Sequence, residues 1–237
     1  MKKIDSIREK EKTYHTKLYK DETLFNKGTW LEKPVKTVID TFELVKKHDK
    51  LVILDIGSGV GRNAIPMAEL IKDTSGIVVC IDLLNIAISK LNDYAELYKV
   101  KDRVKGIQSS IEEYEYGKDK YDYVIAVSSL EHISSVSKLI EVLREISSNT
   151  VTGGINYFIL NTSVFEFDKA KGIELEPQFE INLESKDMSD ILEKCYGKWN
   201  IIKNDIKRHK FDIVRDDNPV LMDTTVLTFI AKKIELQ

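Results

Sequence analysis

The chain has 237 residues, enough to enclose a sizeable α/β core. Hydrophobic residues make up 42% and charged residues 32%, an ordinary soluble balance that excludes a disordered chain. The formal net charge of −3 lacks the basic excess of a nucleic-acid binder, which argues against such a partner.

Residues 1–33 are polar with scattered aromatics: Tyr14, Tyr19, Phe25 and Trp30. Ser6 followed by Glu9 has the spacing of a capping box and predicts a short helix starting there. Pro34 opens an amphipathic segment in which Val35, Val38, Ile39, Phe42 and Val45 recur at helical spacing. Leu51 to Ile56 is an apolar run broken only by Asp55. Gly57-Ser58-Gly59-Val60-Gly61 follows at once, so a buried strand ends in a glycine turn. A helix is predicted from about Arg62 to Lys72, with Pro66 tolerated near its start.

Ile77 to Ile81 is a second buried strand, ending at Asp82; Leu84, Ile88, Leu91 and Ala95 mark the next helix face. Val104 to Gln108 and Tyr121 to Val127 read as the third and fourth strands. His132 is expected to open the helix that follows, with Leu139, Ile140, Leu143 and Ile146 on one face. Gly153-Gly154 turns the chain into a fifth strand, Ile155 to Leu160. An acid-rich stretch at 162–186 reads as an insertion, followed by a helix near 187–195 and strands near 198–206 and 224–231.

Strands and helices alternate through residue 160, which predicts a doubly wound, Rossmann-like parallel sheet with helices on both faces. No repeat or linker-like tract divides the sequence, so one domain is expected: an N-terminal lid over 1–33, a cofactor-binding core over 34–160, and C-terminal strands over 161–237. Cys80 and Cys195 form no CxxC pair and no disulfide framework, which suits a reducing, cytoplasmic setting. The charged segment Met1 to Glu11 lacks the apolar stretch of a secretory signal, and the longest apolar runs are strand-sized, so no membrane span is expected.

In an open α/β sheet, ligands bind beyond the carboxyl ends of the strands. Glycines at 57, 59 and 61 let the backbone approach a ligand closely, and the helix after them offers free N–H groups. The dinucleotide pattern G-x-G-x-x-G fails, because Arg62 stands where its third glycine belongs, and no Gly-Lys-Ser/Thr follows to make a phosphate loop. Asp55 precedes the first glycine, and its charge suits an ammonium group better than a pyrophosphate. Asp82, about 25 residues after Gly57, is placed to accept both hydroxyls of a ribose. A ligand with an amino-acid end and a ribose end satisfies both acids, and S-adenosylmethionine is such a ligand.

At these residues the sequence resembles the class I S-adenosylmethionine-dependent methyltransferases. Leu54-Asp55-Ile56-Gly57-Ser58-Gly59-Val60-Gly61 looks like their first motif, and Asp82 matches their acid after the second strand. Tyr121 to Ala126 with Leu130-Glu131-His132-Ile133 resembles their fourth-strand motif. The likeness runs in order over roughly 35–160. It implies a seven-stranded sheet with the last strand antiparallel beside the fifth. It also implies a cofactor site at Asp55, Gly57, Ser58, Gly59, Gly61, Arg62, Asn63, Asp82, Leu83, Ser109, Ser110, Ile111, Ala126, Val127 and Ser128. Ser110 stands where relatives often carry an adenine-binding Asp, and Val127 where a polar residue is common. Gly61-Arg62-Asn63, Phe25 with Trp30, and Trp199 are similar to the tellurite-resistance branch.

His132, facing the cleft, is a candidate general base, and Glu131 beside it a second catalytic candidate. His15, His48 and His209 lack metal-site spacing and read as surface or packing residues; no metal is expected. Tyr14, His15, Tyr19 and Trp30 suit either a lid over a substrate or a helix docked on the sheet. Glu166, Asp168, Glu174, Glu176 and Glu180 suit either the steering of a cationic acceptor or a solvated loop. The expected partner is a small-molecule acceptor. Two other readings stay open: a protein that binds S-adenosylmethionine without turnover, and a nicotinamide-dependent oxidoreductase.

Overall fold

A computed structural model describes residues 3–118, 120–215 and 218–235. Helix α1 (Lys3–Asp21) and helix α2 (Lys36–Phe42) precede the alternating elements. These are β1 (Val52–Ile56), α3 (Ala64–Leu70), β2 (Ile77–Asp82), α4 (Asn85–Leu97), β3 (Val104–Gln108), β4 (Tyr121–Val127) and α5 (Val136–Asn149). The chain ends with β5 (Thr150–Asp168), β6 (Ile173–Leu175), α6 (Ser185–Tyr196), β7 (Asn200–Arg215) and β8 (Asn218–Lys232).

The sheet order is β3-β2-β1-β4-β5-β8-β7, with short β6 pairing β5 off this path. Strands β1 to β5 pair in parallel, whereas β8 lies antiparallel between β5 and β7. The seven-stranded order implied by the resemblance is thus present, with β6 added. Strand periodicity splits the core between the two faces. Ile53, Val78, Cys80, Tyr123, Ile125 and Tyr157 pack on one side with α2, α3 and α4. Leu54, Ile56, Val79, Val124, Ala126 and Phe158 pack on the other with α5 and α6. Each large side chain so enclosed contributes roughly 1.5–3 kcal/mol.

The junction after α5 carries its own lock. Lys233 Nζ reaches the carbonyls of Ser147 and Thr150 at 2.7 Å each, supplying a cation to the helix's C-terminal oxygens. Lys233→Met is expected to lower stability by about 1–3 kcal/mol, read as a shift in the denaturant midpoint without a change in slope.

Five elements differ from the sequence-based expectation. Strand β5 begins at Thr150, so Gly153 and Gly154 lie inside it and do not turn the chain into it. Helix α1 is already formed at Lys3, so Ser6 and Glu9 lie within it and do not cap it. The helix after the glycine turn spans only 64–70, because 59–63 are occupied by turns. His132 sits on a separate 3-10 turn, Leu130–His132, and α5 begins later, capped by the Ser135 hydroxyl accepting from the Lys138 N–H. The stretch from 162 is not a loop at first: β5 runs on to Asp168, and β7 and β8 extend beside it into a long antiparallel arm. No helix among the described residues is long and apolar enough to cross a membrane.

Candidate functional site

The carboxyl ends of β1, β2 and β4 meet at the glycine turn, where neighbouring crossovers leave on opposite sides and open a crevice. Gly57 has φ +67°, Gly59 +54° and Gly61 +97°, the left-handed region that favours glycine. The turn hangs on β2, with the N–H groups of Gly57 and Ser58 both donating to the Ile81 carbonyl. A side chain at Gly57 would collide with Ser129, whose own hydroxyl donates to the Ile56 carbonyl. At Gly61 the space belongs instead to Leu91 and Ile65, so this glycine lets α3 and α4 approach.

Asp55 ends up 2% exposed beneath this turn, with its Oδ2 unpartnered. Burial pushes its carboxyl up to about 7, against a partial counterweight from Arg62 and reinforcement from Asp82. The Ser58 hydroxyl is a second buried group without a partner. Asp82 accepts from the Gly59 and Leu84 N–H groups at 2.9 Å each, tying the turn to the start of α4. Burial raises its pKa despite those bonds. Two acids thus stand within a crevice whose glycines leave room for a ligand. An unpartnered buried carboxylate and a turn without Cβ bulk fit a ligand with a cationic amino-acid end, as S-adenosylmethionine has.

Helix α1 lies over this turn. The Tyr19 hydroxyl sits 2.7 Å from where a Gly59 side chain would begin, and Tyr19 is 4% exposed. At the crevice edge, Arg62 donates to the Trp30 carbonyl and packs over the Trp30 ring at 4.9 Å. Asn63 accepts from the Val35 N–H, fastening the segment before α2. After β4, Ser128 adopts φ +50° and turns its hydroxyl to the Asn161 amide. Such strain in a serine clusters at ligand sites.

The cavity here is about 1690 Å³, against the roughly 300–1,000 Å³ usual for a single small-ligand site. Asp55, Gly57, Ser58, Gly59, Arg62, Asn63, Asp82, Leu83, Ser110, Ile111, Val127, Ser128 and His132 all line it. Gly61, Ser109, Ala126 and Glu131 stand outside its lining. Ala126 is buried in the core, and Glu131 is wholly enclosed, its Oε1 accepting from the N–H and side-chain amide of Asn161. The Ser110 hydroxyl builds its own turn by accepting from the Glu113 N–H. Tyr14, His15, Tyr19 and Trp30 share the cavity wall, and so does His209.

Far from the glycine turn, the cavity is walled by ion pairs between distant segments. Arg215 of β7 bridges Glu11 of α1 at 2.6 Å and Glu166 of β5 at 2.9 Å, with its guanidinium near the Tyr14 ring. Arg8 of α1 reaches Glu112 at 2.7 Å and Glu180 at 3.4 Å. Glu166 and Glu180 are therefore enclosed partners. Glu174 and Glu176 are exposed, and Asp168 closes a turn by accepting from the Ala170 and Lys171 N–H groups. Arg8, Glu11, Glu112, Asn161 and Arg215 escaped the sequence reading. No local pattern marks them, since Glu11 and Arg215 are 204 residues apart.

Residues 53–154 match the family model described as a methyltransferase domain. No curated protein matches the sequence. Among solved structures, TehB from Haemophilus influenzae superposes with a TM-score of 0.63 at 14% identity, covering 84% of this chain and 62% of TehB, so the chain spans under two thirds of that protein. An S-adenosylmethionine-dependent methyltransferase from Clostridium acetobutylicum gives 0.60 at 14% identity, covering 94% and 100%. A Haemonchus contortus N-methyltransferase solved with S-adenosylhomocysteine gives 0.56 at 16% identity, covering 86% and 54%. At these identities the structural likeness is one of fold.

Proposed function

We propose that the chain is a class I S-adenosylmethionine-dependent methyltransferase that uses that compound as its cofactor and methylates a small molecule held between the glycine turn and the β5–β8 arm. The observation that carries this reading is the cavity of about 1690 Å³, which exceeds one ligand's needs and continues from the glycine turn to an ion-paired wall under α1. On this reading residues 1–33 and the arm complete one methyltransferase domain. The free thiols Cys80 and Cys195 suit a cytoplasmic enzyme.

When bound, the cofactor supplies a methyl group already activated by a positively charged sulfur. Asp55 would hold the cationic amino-acid end, and Asp82 the ribose hydroxyls alongside its two backbone donors. Gly57 and Gly59 leave room for close approach, and Leu83, Ser110 and Ile111, which line the cavity, would hold the base. Val127 and Ser128 border the passage towards the acceptor. Tyr19 and its neighbours on α1 exclude water. Holding reactants in line can supply roughly 7–11 kcal/mol of a barrier in favourable cases, so positioning is the main demand on this chain. His132 is the group placed to take a proton from an acceptor. Glu131 serves by fixing Asn161, which in turn holds Ser128.

A panel of small hydroxyl, amine and thiol compounds, incubated with the protein and labelled methyl donor, tests the reading. Label transfer to a compound small enough for the cavity is the expected result. Transfer only to protein or nucleic acid would contradict it, and cofactor binding without turnover across every acceptor class would point to a non-catalytic binder.

A further inference from the structure

His132 does not stand alone in the cavity wall. Its Nδ1 lies 2.9 Å from Oε2 of Glu180, whose side chain is 2% exposed. The Phe179 ring stacks on the imidazole at 5.3 Å and 17°. The Ile181 N–H donates to the Glu131 carbonyl at 2.9 Å, so the segment carrying Glu180 is tied to the turn carrying His132. Arg8 meets the other Glu180 oxygen and is itself held by Glu112, which accepts from both the N–H and hydroxyl of Ser134. The imidazole is therefore fixed in plane and in tautomer. An ionised Glu180 only accepts, so neutral His132 carries its proton on Nδ1 and leaves the Nε2 lone pair free.

We propose that Glu180 is a positioning residue that makes His132 Nε2 a proton acceptor, and that the site serves an acceptor which must shed a proton, a hydroxyl or an ammonium group, rather than a soft anion. The proposal rests on the methyl-transfer reading above. A hydroxyl uses an oxygen lone pair, and an ammonium group the pair freed when its N–H proton leaves, to form the bond to the methyl carbon while the methyl–sulfur bond breaks, its electron pair remaining on sulfur. The acceptor's proton passes to Nε2, and the resulting imidazolium is stabilised by Glu180 through Nδ1–H. Every atom and charge is then accounted for: one positive charge leaves sulfur and one appears on His132.

The charged groups facing His132 favour this role. Burial alone would depress its pKa, but the Glu180 hydrogen bond and the charges of Glu131, Glu11 and Glu180 outweigh burial and hold it above the usual histidine value. Glu11 comes from α1, Glu131 from the same turn, and Arg8 and Arg215 reach the cluster only through their own carboxylate partners. A base with a raised pKa gains competence as pH rises through that value.

The test follows the imidazole by nuclear magnetic resonance, with His132→Asn assigning its signal among the four histidines. Wild-type His132 is expected to show the Nδ1–H tautomer when neutral. In Glu180→Gln the titration midpoint is expected to fall by about one pH unit or more, while Glu180→Asp retains most of the elevation. The acid limb of the pH–rate profile should move down with it, lowering kcat and sparing KM for the methyl donor. An Nε2–H tautomer in the wild type, or a midpoint unmoved in a folded Glu180→Gln, would overturn the proposal. Binding of S-adenosylhomocysteine is measured in parallel. Its loss in the wild type would sink the methyl-transfer reading itself, whereas intact binding with an unmoved midpoint removes only the role of Glu180.

Discussion

Gly57→Ala is expected to lower stability by about 2–5 kcal/mol and to abolish measurable cofactor binding. Two independent costs combine at this position. The backbone stands at φ +67°, where a side chain costs roughly 1–2 kcal/mol. A methyl group would also lie 2.5 Å from the Ser129 Cβ, an atom attached directly to the chain and unable to swing aside. The Ser129 hydroxyl is committed to the Ile56 carbonyl, so relief requires moving the end of β4 away from β1. That movement opens the crevice in which Asp55 and Asp82 converge. Denaturant unfolding measures the first effect and titration calorimetry the second. Adding Ser129→Gly should recover the overpacking share of about 1–3 kcal/mol and leave the backbone share, which separates the two causes.

Asp55→Asn is expected to stabilise the cofactor-free protein by about 2–4 kcal/mol above neutral pH while weakening cofactor binding. Asp55 has an ordinary value of 3.8 and is pushed up to about 7 by burial. Between those values the folded protein holds a proton that the unfolded chain has released. Stability from the neutral carboxyl is therefore complete below the unfolded pKa and is lost as pH rises through the folded one. Across about three pH units this amounts to roughly 4 kcal/mol. The amide never ionises, so the variant lacks that decline. Buried Asp82 and Glu131 are raised as well and tilt both proteins, so the informative quantity is the difference between the two stability curves. Ligand binding runs the other way: a cationic amino group favours ionised Asp55. Wild-type affinity should rise with pH through neutrality, and that of Asp55→Asn should rise less, by the share that Asp82 alone contributes.

The glycine-turn side of the cavity is legible in the sequence because its signals are local. An apolar run, one acid and three closely spaced glycines specify a strand, a turn and a crevice within residues 51–61. Asp82 follows at the end of the next buried run. The arm side of the cavity is hidden for a physical reason. In the far half of β5, the enclosed positions carry Glu166 and Asp168, whereas Phe165 is exposed, so the usual apolar-in alternation is inverted. Arg215 makes that inversion stable by pairing with Glu166, and a register shift between Thr162 and Phe165 breaks the period further. Strand β7 is largely exposed along its length and offers no apolar stripe to read. The first part of the acid-rich stretch, up to Asp168, is therefore a strand whose acids face inward. Glu180, on a bend after β6, is visible as one acid among several, but its pairing with His132 and Arg8 spans distant segments and leaves no local signal.

Titration of the purified protein with S-adenosylmethionine, its demethylated product and a nicotinamide dinucleotide, each at about pH 6 and about pH 8, tests the account most directly. Saturable binding of the first two, tighter on the alkaline side and with no dinucleotide uptake, is the result that two carboxylates around a bare glycine turn require. Uptake of the dinucleotide with indifference to the sulfonium compound at millimolar concentration would contradict it.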